Sequence, residues 1–582
     1  MRSGSGHLIF FLLLLFYITF IQTIGPSREF DIFFVSLVGV ICCLSIARNK
    51  NNFQNSYIYL LTTLVLFGTL FFYPESFLIL NVSLIWWVAL TIKKITRFNK
   101  GIFNYWPYFC FAIALTGFIS YKNNDYTIYT FPLNWHNQSC ILLATSIPFY
   151  LLKIFKSKKN IEVVRDSIFL VFVFYCIYLT NSKAGVALSF ISLFSLPWIL
   201  GKGIFKKMKK ILFFSSGLAL FSIFGFPGFF QNLMQDFSFR SRLAYFSASF
   251  EMGKNNPFSG VGWGQFKYHY PSFQTDIEYA TNDPHSWIFR AWAEGGFLGL
   301  ILVFLLVFSF FKAFGNKNMK PENKCFIVAA AMILIHGLVD FHATFVPIPL
   351  ILGFFWGSSS EKKERKMSRF SQEKIINFLP IYIGFIFCIL SIGRYMNPRE
   401  CGQEKFSHEC IDKYLERGFG SLDSSEDIQK IFKFSNSLTF SHVRRIVENR
   451  SYFPKNISVR QSLLALQYPQ NTFITKSERL IIAQELNSID PMNRPEVVLM
   501  LVNEMWPPVG ESEKREIVSI IDNILEIWPD FKNAEEIFSF KLDARKRGLN
   551  IIFSKLWEIK SILSEGEPER ESALEKSKNF LN

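Results

Sequence analysis

Apolar runs of about 15–20 residues, each long enough to cross a bilayer as a helix, recur between short charged links up to residue 393. They predict spans at 8–24, 31–47, 57–73, 77–92, 102–120, 139–154, 167–182, 186–200, 211–228, 297–313, 325–341, 343–357 and 378–393. The first run is followed by Gly25-Pro26 without a small-x-small cleavage site, so it reads as a retained anchor and not a signal peptide. Beyond residue 393 the chain turns polar, with helical periodicity over Leu480–Leu486, Glu496–Met505 and Lys514–Trp528. Pro454, Pro469, Pro491, Pro507, Pro508 and Pro529 punctuate that tail at helical-hairpin intervals. Stacked helix pairs like degenerate tetratricopeptide repeats fit the tail, and so does an irregular helical bundle.

The expected fold class is an all-α polytopic membrane protein of about 13 transmembrane helices. The expected domains are N-terminal helices over 1–228, a long loop over 229–296, C-terminal membrane helices over 297–393 and a helical domain over 394–582. Composition agrees: half of the 582 residues are apolar and 68 are Phe, which excludes a water-soluble globule for most of the chain.

Charge supplies the sidedness. The chain carries 62 basic and 46 acidic residues, and 35 of the basic but 17 of the acidic ones precede residue 394. Links beginning at Arg48, Lys93, Lys153, Lys202, Lys312 and Lys362 hold 26 basic residues, against eight in the alternate links. Basic residues accumulate on the cytoplasmic side of short loops, so the N-terminus is expected inside, with loop 229–296 and tail 394–582 both exported. The positive charge then reports loop orientation and contact with anionic lipid head groups, and nucleic acid is not an expected partner. Seven cysteines lie in the predicted spans. Cys401 and Cys410 share the exported tail, where a disulfide or two free thiols are both open.

Long loops in compact structures are generally functional or disordered, and this one is not disordered in composition. Phe237–Met252 has the apolar spacing of an amphipathic interfacial helix. Asn256-Pro-Phe-Ser-Gly-Val-Gly-Trp-Gly264 follows, in which Gly260, Gly262 and Gly264 allow a tight turn. Asn282-Asp-Pro-His-Ser-Trp-Ile-Phe-Arg290 then brings His285 to the mouth of the next span, so that Arg240, Arg242, His285 and Arg290 gather in one loop. Trp263, Tyr268, His269 and Tyr270 either offer flat faces to sugars or form an interfacial belt. His336, Asp340 and His342 lack a metal-ligand spacing and read as helix-packing residues. No phosphate loop, Cys-x-x-Cys pair or acidic metal cluster appears, so neither cofactor nor metal is expected.

Arg242 ahead of the glycine turn, the His285 segment ending in Ala293-Glu-Gly-Gly-Phe-Leu-Gly299, and His336-Gly-Leu-Val-Asp-Phe-His342 before Pro347 and Pro349 resemble the O-antigen ligase and O-antigen polymerase superfamily over 165–360. The resemblance implies a glycosyltransferase of the bacterial inner membrane that moves a glycan from undecaprenyl diphosphate to an acceptor on the outer, periplasmic face. It implies His285 as the essential histidine and Arg242 as the loop arginine, with Arg240 the near alternative. Lys183, in Asn181-Ser-Lys-Ala-Gly185, stands where the family usually has Arg. Lys cannot form the bidentate fork to a diphosphate, so it would act as a point charge. The leading expectation is a metal-independent ligase acting on lipid A–core. A polymerase extending the growing glycan is the alternative within the class, and a polysaccharide transporter or flippase the alternative outside it.

Overall fold

The computed structural model describes residues 77–94, 98–124, 128–200, 236–274, 279, 281–314, 319–340, 346–359, 438–448, 457–466, 470–489, 495–527, 542–564 and 566–581, with 14, 15, 17, 18 and 34. Every regular element among them is helical. The predicted spans at 8–24, 31–47, 57–73, 211–228 and 378–393 lie largely or wholly outside the described residues, as do His342, Cys401 and Cys410. The chain divides into two compact units, one of Met1–Arg242, Gly253–Gly264 and Asp283–Arg399, the other of Leu243–Met252, Gln265–Asn282 and Glu400–Asn582.

In the first unit the described helices run in the order α1 Phe77–Lys94, α2 Phe98–Asn123, α3 His136–Ala144, α4 Ile147–Lys156, α5 Asn160–Leu179, α6 Lys183–Phe194 and α7 Leu196–Leu200. After them come α8 Phe237–Asn255, which enters the second unit, α9 Trp287–Phe314, α10 Pro321–His336 and α11 Pro347–Ser359. Among the described residues, four stretches are long and apolar enough to cross a membrane: Ile102–Asn123, His136–Lys156, Lys183–Leu200 and Trp287–Lys312. The second of these is the hub, with 83% of its apolar window buried against 39% in the other three. It bends between α3 and α4, where the Thr145 and Ser146 hydroxyls turn back onto the carbonyls of Leu142 and Leu143. Trp106 of α2 donates its indole N–H to Thr145 at 3.2 Å. Phe149 of the hub packs against the rings of Phe326 and Phe355, and Trp106 meets Phe355 edge-on.

Helices α1 and α11 approach closely because Gly353 and Gly357, one turn apart, lie against the backbone of Ile85 and Ala89, where a Cβ would come within 2.6 Å of carbonyl oxygens. Small residues at this spacing are how helices meet without a hydrophobic drive. On α9 the large side chains Leu298, Ile301, Leu305 and Phe308 are exposed in a helical stripe, the face a bilayer would solvate. Helix α9 starts well ahead of residue 297, where the span was expected to begin, because Arg290 and Glu294 pair and bury inside its first turns and so hide its apolar character from a hydropathy reading.

The second unit carries the tail helices α12 Phe440–Glu448, α13 Ile457–Leu464, α14 Lys476–Ile489, α15 Pro495–Met505, α16 Glu511–Ile527, α17 Leu542–Leu563 and α18 Glu567–Leu581. Sequence neighbours from α13 through α18 pack on each other around Leu486, Val497, Leu501, Ile521 and Leu556. Ion pairs Arg444–Glu478, Arg460–Glu485 and Arg479–Glu504 cross between elements. The three tail segments with predicted helical periodicity fall within α14, α15 and α16 apart from the final residue, Trp528, which lies outside the described residues.

Candidate functional site

Several chain segments of the first unit meet at the end of the hub helix that begins with His136. His136 Nδ1 lies 3.0 Å from the carbonyl oxygen of Thr180, joining the start of α3 to the end of α5. Asn181, at φ 55°, turns the chain sharply into α6, whose Ser182 cap accepts the Gly185 N–H. The start of α9 is pinned to the end of α10 by a backbone hydrogen bond from Trp287 N to Gly337 O at 3.0 Å. Gly337 also leaves room for the Trp287 indole, which a Cβ there would meet at 2.3 Å.

This pinning brings His285 beside Asp340. His285 Nδ1 is 4.0 Å from Asp340 Oδ1, and Asp340 is buried and accepts a hydrogen bond from Gln138 Nε2 at 3.1 Å. His285 itself holds a left-handed backbone, φ 55°. Burial, with Arg242 as a smaller contributor, pushes its imidazole down to about 4, while Asp283 acts in the opposite direction. The ring is therefore neutral near pH 7, the form that accepts a proton.

Arg242 reaches the same place from α8. Its Nε donates to the Val339 carbonyl at 2.9 Å and its Nη1 to the Ser238 carbonyl at 3.0 Å, with the Ser238 hydroxyl also against Nη1. Two fixed contacts orient the guanidinium plane, and among the described residues Nη2 makes no hydrogen bond. Its charge is felt at His136, His285 and His336. Lys183 is 67% exposed and pairs with Asp236, the residue whose carboxylate caps α8 through Phe239 N at 3.1 Å. Arg240 is exposed on α8. His336 is fully buried at the end of α10.

The glycine turn is built onto α9. Gly260, Gly262 and Gly264 have φ of 64°, 106° and 75°, conformations that need glycine. Val261 N donates to Ala293 O at 2.8 Å and Gly262 N to Glu294 O at 3.1 Å. These carbonyls are open because α9 breaks at Gly296 (φ 54°, ψ −139°). Trp263 lies against Gly295, half-buried. Tyr268 and Tyr270, read either as flat faces for sugars or as an interfacial belt, are buried in the second unit. The Tyr270 ring stacks on Phe266 and meets Tyr245 edge-on, and its hydroxyl donates to Tyr279 O, so neither ring presents an open face.

Sequence reading assigned Asp340 to helix packing and passed over Gln138. The available signal was the polar run His136-Asn-Gln-Ser139 at the head of an apolar span, since polar residues at that depth generally mark function. Among the described residues no three His, Cys, Asp or Glu side chains form a set that could hold a metal.

Residues 168–304 match the family model described as O-antigen ligase. No curated protein and no solved structure matches the chain. The match supports a ligase- or polymerase-like glycosyltransferase, and with the apolar helices it makes the chain an integral membrane protein.

Proposed function

We propose that the protein transfers a glycan from undecaprenyl diphosphate to a lipid A–core acceptor at the outer face of the bacterial inner membrane. The observation that carries this reading is the meeting of a neutral imidazole, a buried carboxylate and an oriented guanidinium, His285, Asp340 and Arg242, within a segment set largely by the O-antigen ligase match. Their position also fits an outer-face site. They gather at the His136 end of the hub span, opposite Lys153, Lys156, Lys158 and Lys159, which the positive-inside rule assigns to the cytoplasm.

In the reaction the acceptor hydroxyl oxygen bonds to the anomeric carbon while the bond from that carbon to the diphosphate oxygen breaks. The hydroxyl proton passes to His285, and the bonding pair leaves with the diphosphate. Charge grows on the leaving group as the bond breaks, so cations aimed there bind the transition state more tightly than the ground state. Arg242, with Nη2 open, is the donor clamp. Asp340, 4.0 Å from Nδ1, orients the imidazole and stabilises the imidazolium as the ring takes up the proton. Lys183 is already neutralised by Asp236, so the donor anion gains from Lys183 only by displacing that carboxylate.

Deletion of the gene, with analysis of surface polysaccharide and carrier-linked glycan, tests the assignment. Long chains held on the carrier and missing from lipid A are the expected result. Single repeat units on the carrier would indicate a polymerase, and carrier glycan trapped on the cytoplasmic side would indicate transport. The His285→Ala protein should insert normally and lose ~10²–10⁴-fold in transfer.

A further inference from the structure

Behind the imidazole stands a group of buried charges that the transfer chemistry does not use. His285 occupies the left-handed region, φ 55°, which residues with a Cβ hold only when their surroundings impose it. The imposing contact is visible: the His285 N–H donates to Asp283 Oδ1 at 2.8 Å, across Pro284. The second carboxylate oxygen of Asp283 pairs with Arg290 Nη1. Arg290 Nε donates in turn to Glu294 Oε1 at 3.3 Å, and Glu294 also accepts the Gly264 N–H. Asp283, Arg290 and Glu294 are all buried.

We infer that Asp283 and Arg290 are positioning residues for the base: a buried clamp that holds the His285 backbone in its left-handed turn and thereby fixes where the imidazole stands. The inference rests on the reading of His285 as proton acceptor. A side-chain turn from Asp to the second residue along is common, but alone it leaves the carboxylate free to rotate. Arg290, rooted in the first turns of α9, takes that freedom away by holding the other oxygen. A buried ion network contributes no more stability than apolar packing of the same volume. What it adds is direction, and here the direction is that of the catalytic loop. The same geometry removes Arg290 from the cations available to a diphosphate, because its guanidinium is enclosed and shared between two carboxylates.

The test is a double-mutant cycle on the full-length protein in detergent. The donor is carrier-linked glycan extracted from cells lacking the protein, and the acceptor is lipid A–core from the same cells. Asp283→Ala should lower kcat by ~10²-fold, the cost of misplacing a catalytic group by about an ångström, with the KM for donor little changed. Asp283→Asn keeps the acceptor for the His285 N–H but not the charge that holds Arg290, and should fall between. In a His285→Ala background, Asp283→Ala should cause no further loss, since the clamp then has nothing to place. A general structural role would multiply the two losses, and that result overturns the inference. So does full kcat in Asp283→Ala beside an inactive His285→Ala. Full turnover by His285→Ala would instead overturn the role of His285 itself. Each variant is scored only if it elutes as the wild type does, and Asp283→Asn carries the cycle if Asp283→Ala misfolds.

Discussion

Replacing Arg242 separates a donor clamp from a structural tie, because the structure sets a limit on what the tie is worth. Arg242 holds two carbonyls, Val339 O at 2.9 Å and Ser238 O at 3.0 Å. Hydrogen bonds from a charged group contribute ~1.5–3 kcal/mol each when well made, and this side chain is half-exposed, so the low end applies to both. Arg242→Ala should therefore destabilise the protein by about 3 kcal/mol, and Arg242→Lys, whose ammonium restores one contact, by about half as much. Turnover should respond differently. If Nη2 grips the diphosphate through both of its N–H groups, Lys cannot reproduce the planar pair, and both variants should lose ~10²–10³-fold in kcat. The assay is transfer of carrier-linked glycan at saturating acceptor, with thermal unfolding in detergent followed in parallel. A modest drop in melting temperature with a near-complete loss of turnover in Arg242→Lys is the expected outcome. Wild-type turnover in Arg242→Lys, or turnover that falls only as the folded fraction falls, refutes the clamp.

Other predictions follow from the same geometry. The kcat/KM profile, which reports the free enzyme, should keep its plateau to lower pH than an ordinary imidazole allows: the base form of His285 is present above its depressed value and lost as pH falls through about 4, whereas a limb near ~6.5 would show a solvated ring or a different base. Gly260→Ala puts a Cβ 2.4 Å from the Glu294 carbonyl carbon at a left-handed φ, so it should cost ~2–4 kcal/mol in strain and lost hydrogen bonds, measured as a lowered unfolding temperature; an unchanged one would mean that the turn is not welded to α9. Reporters active only outside should work when fused after residue 275 or 450, and reporters active only inside after residue 208 or 365; reversed signals would put the site in the wrong compartment.

How much of this was legible beforehand depended on the kind of contact. Apolar runs marked α2, the α3–α4 hub and α6 within a few residues, because a bilayer imposes one composition over one length. The same rule missed the true start of α9, where Arg290 and Glu294 cancel inside the helix and a hydropathy count sees only their charges. His285, Arg242 and Lys183 were visible as basic residues in segments expected to be exported. Asp340 was not assigned to the site, since its closeness to His285 depends on the Trp287–Gly337 hydrogen bond between distant segments. Nor could the pairing of Lys183 with Asp236 be read, because it joins the starts of two helices far apart in the sequence. The burial of Tyr268 and Tyr270 could not be read either, because an aromatic cluster in a loop looks the same whether it faces a sugar, an interface or its own neighbours.

The hub helix has a further consequence for the conditions in which this protein works. Bilayers differ in thickness, and a span exposed to lipid tilts or bends to match the one it finds itself in. The His136–Lys156 span meets other helices in place of lipid, so it feels a change of thickness only at second hand. Helix α9, with its exposed Leu298, Ile301, Leu305 and Phe308, takes the change directly, but its kink at Gly296 separates that lipid-facing stretch from the turns that carry Arg290. Tilting of the outer segment is then absorbed at the kink, and the distance between His285 and Asp340 is insulated from it. A site built this way keeps one geometry in thin and thick lipid alike.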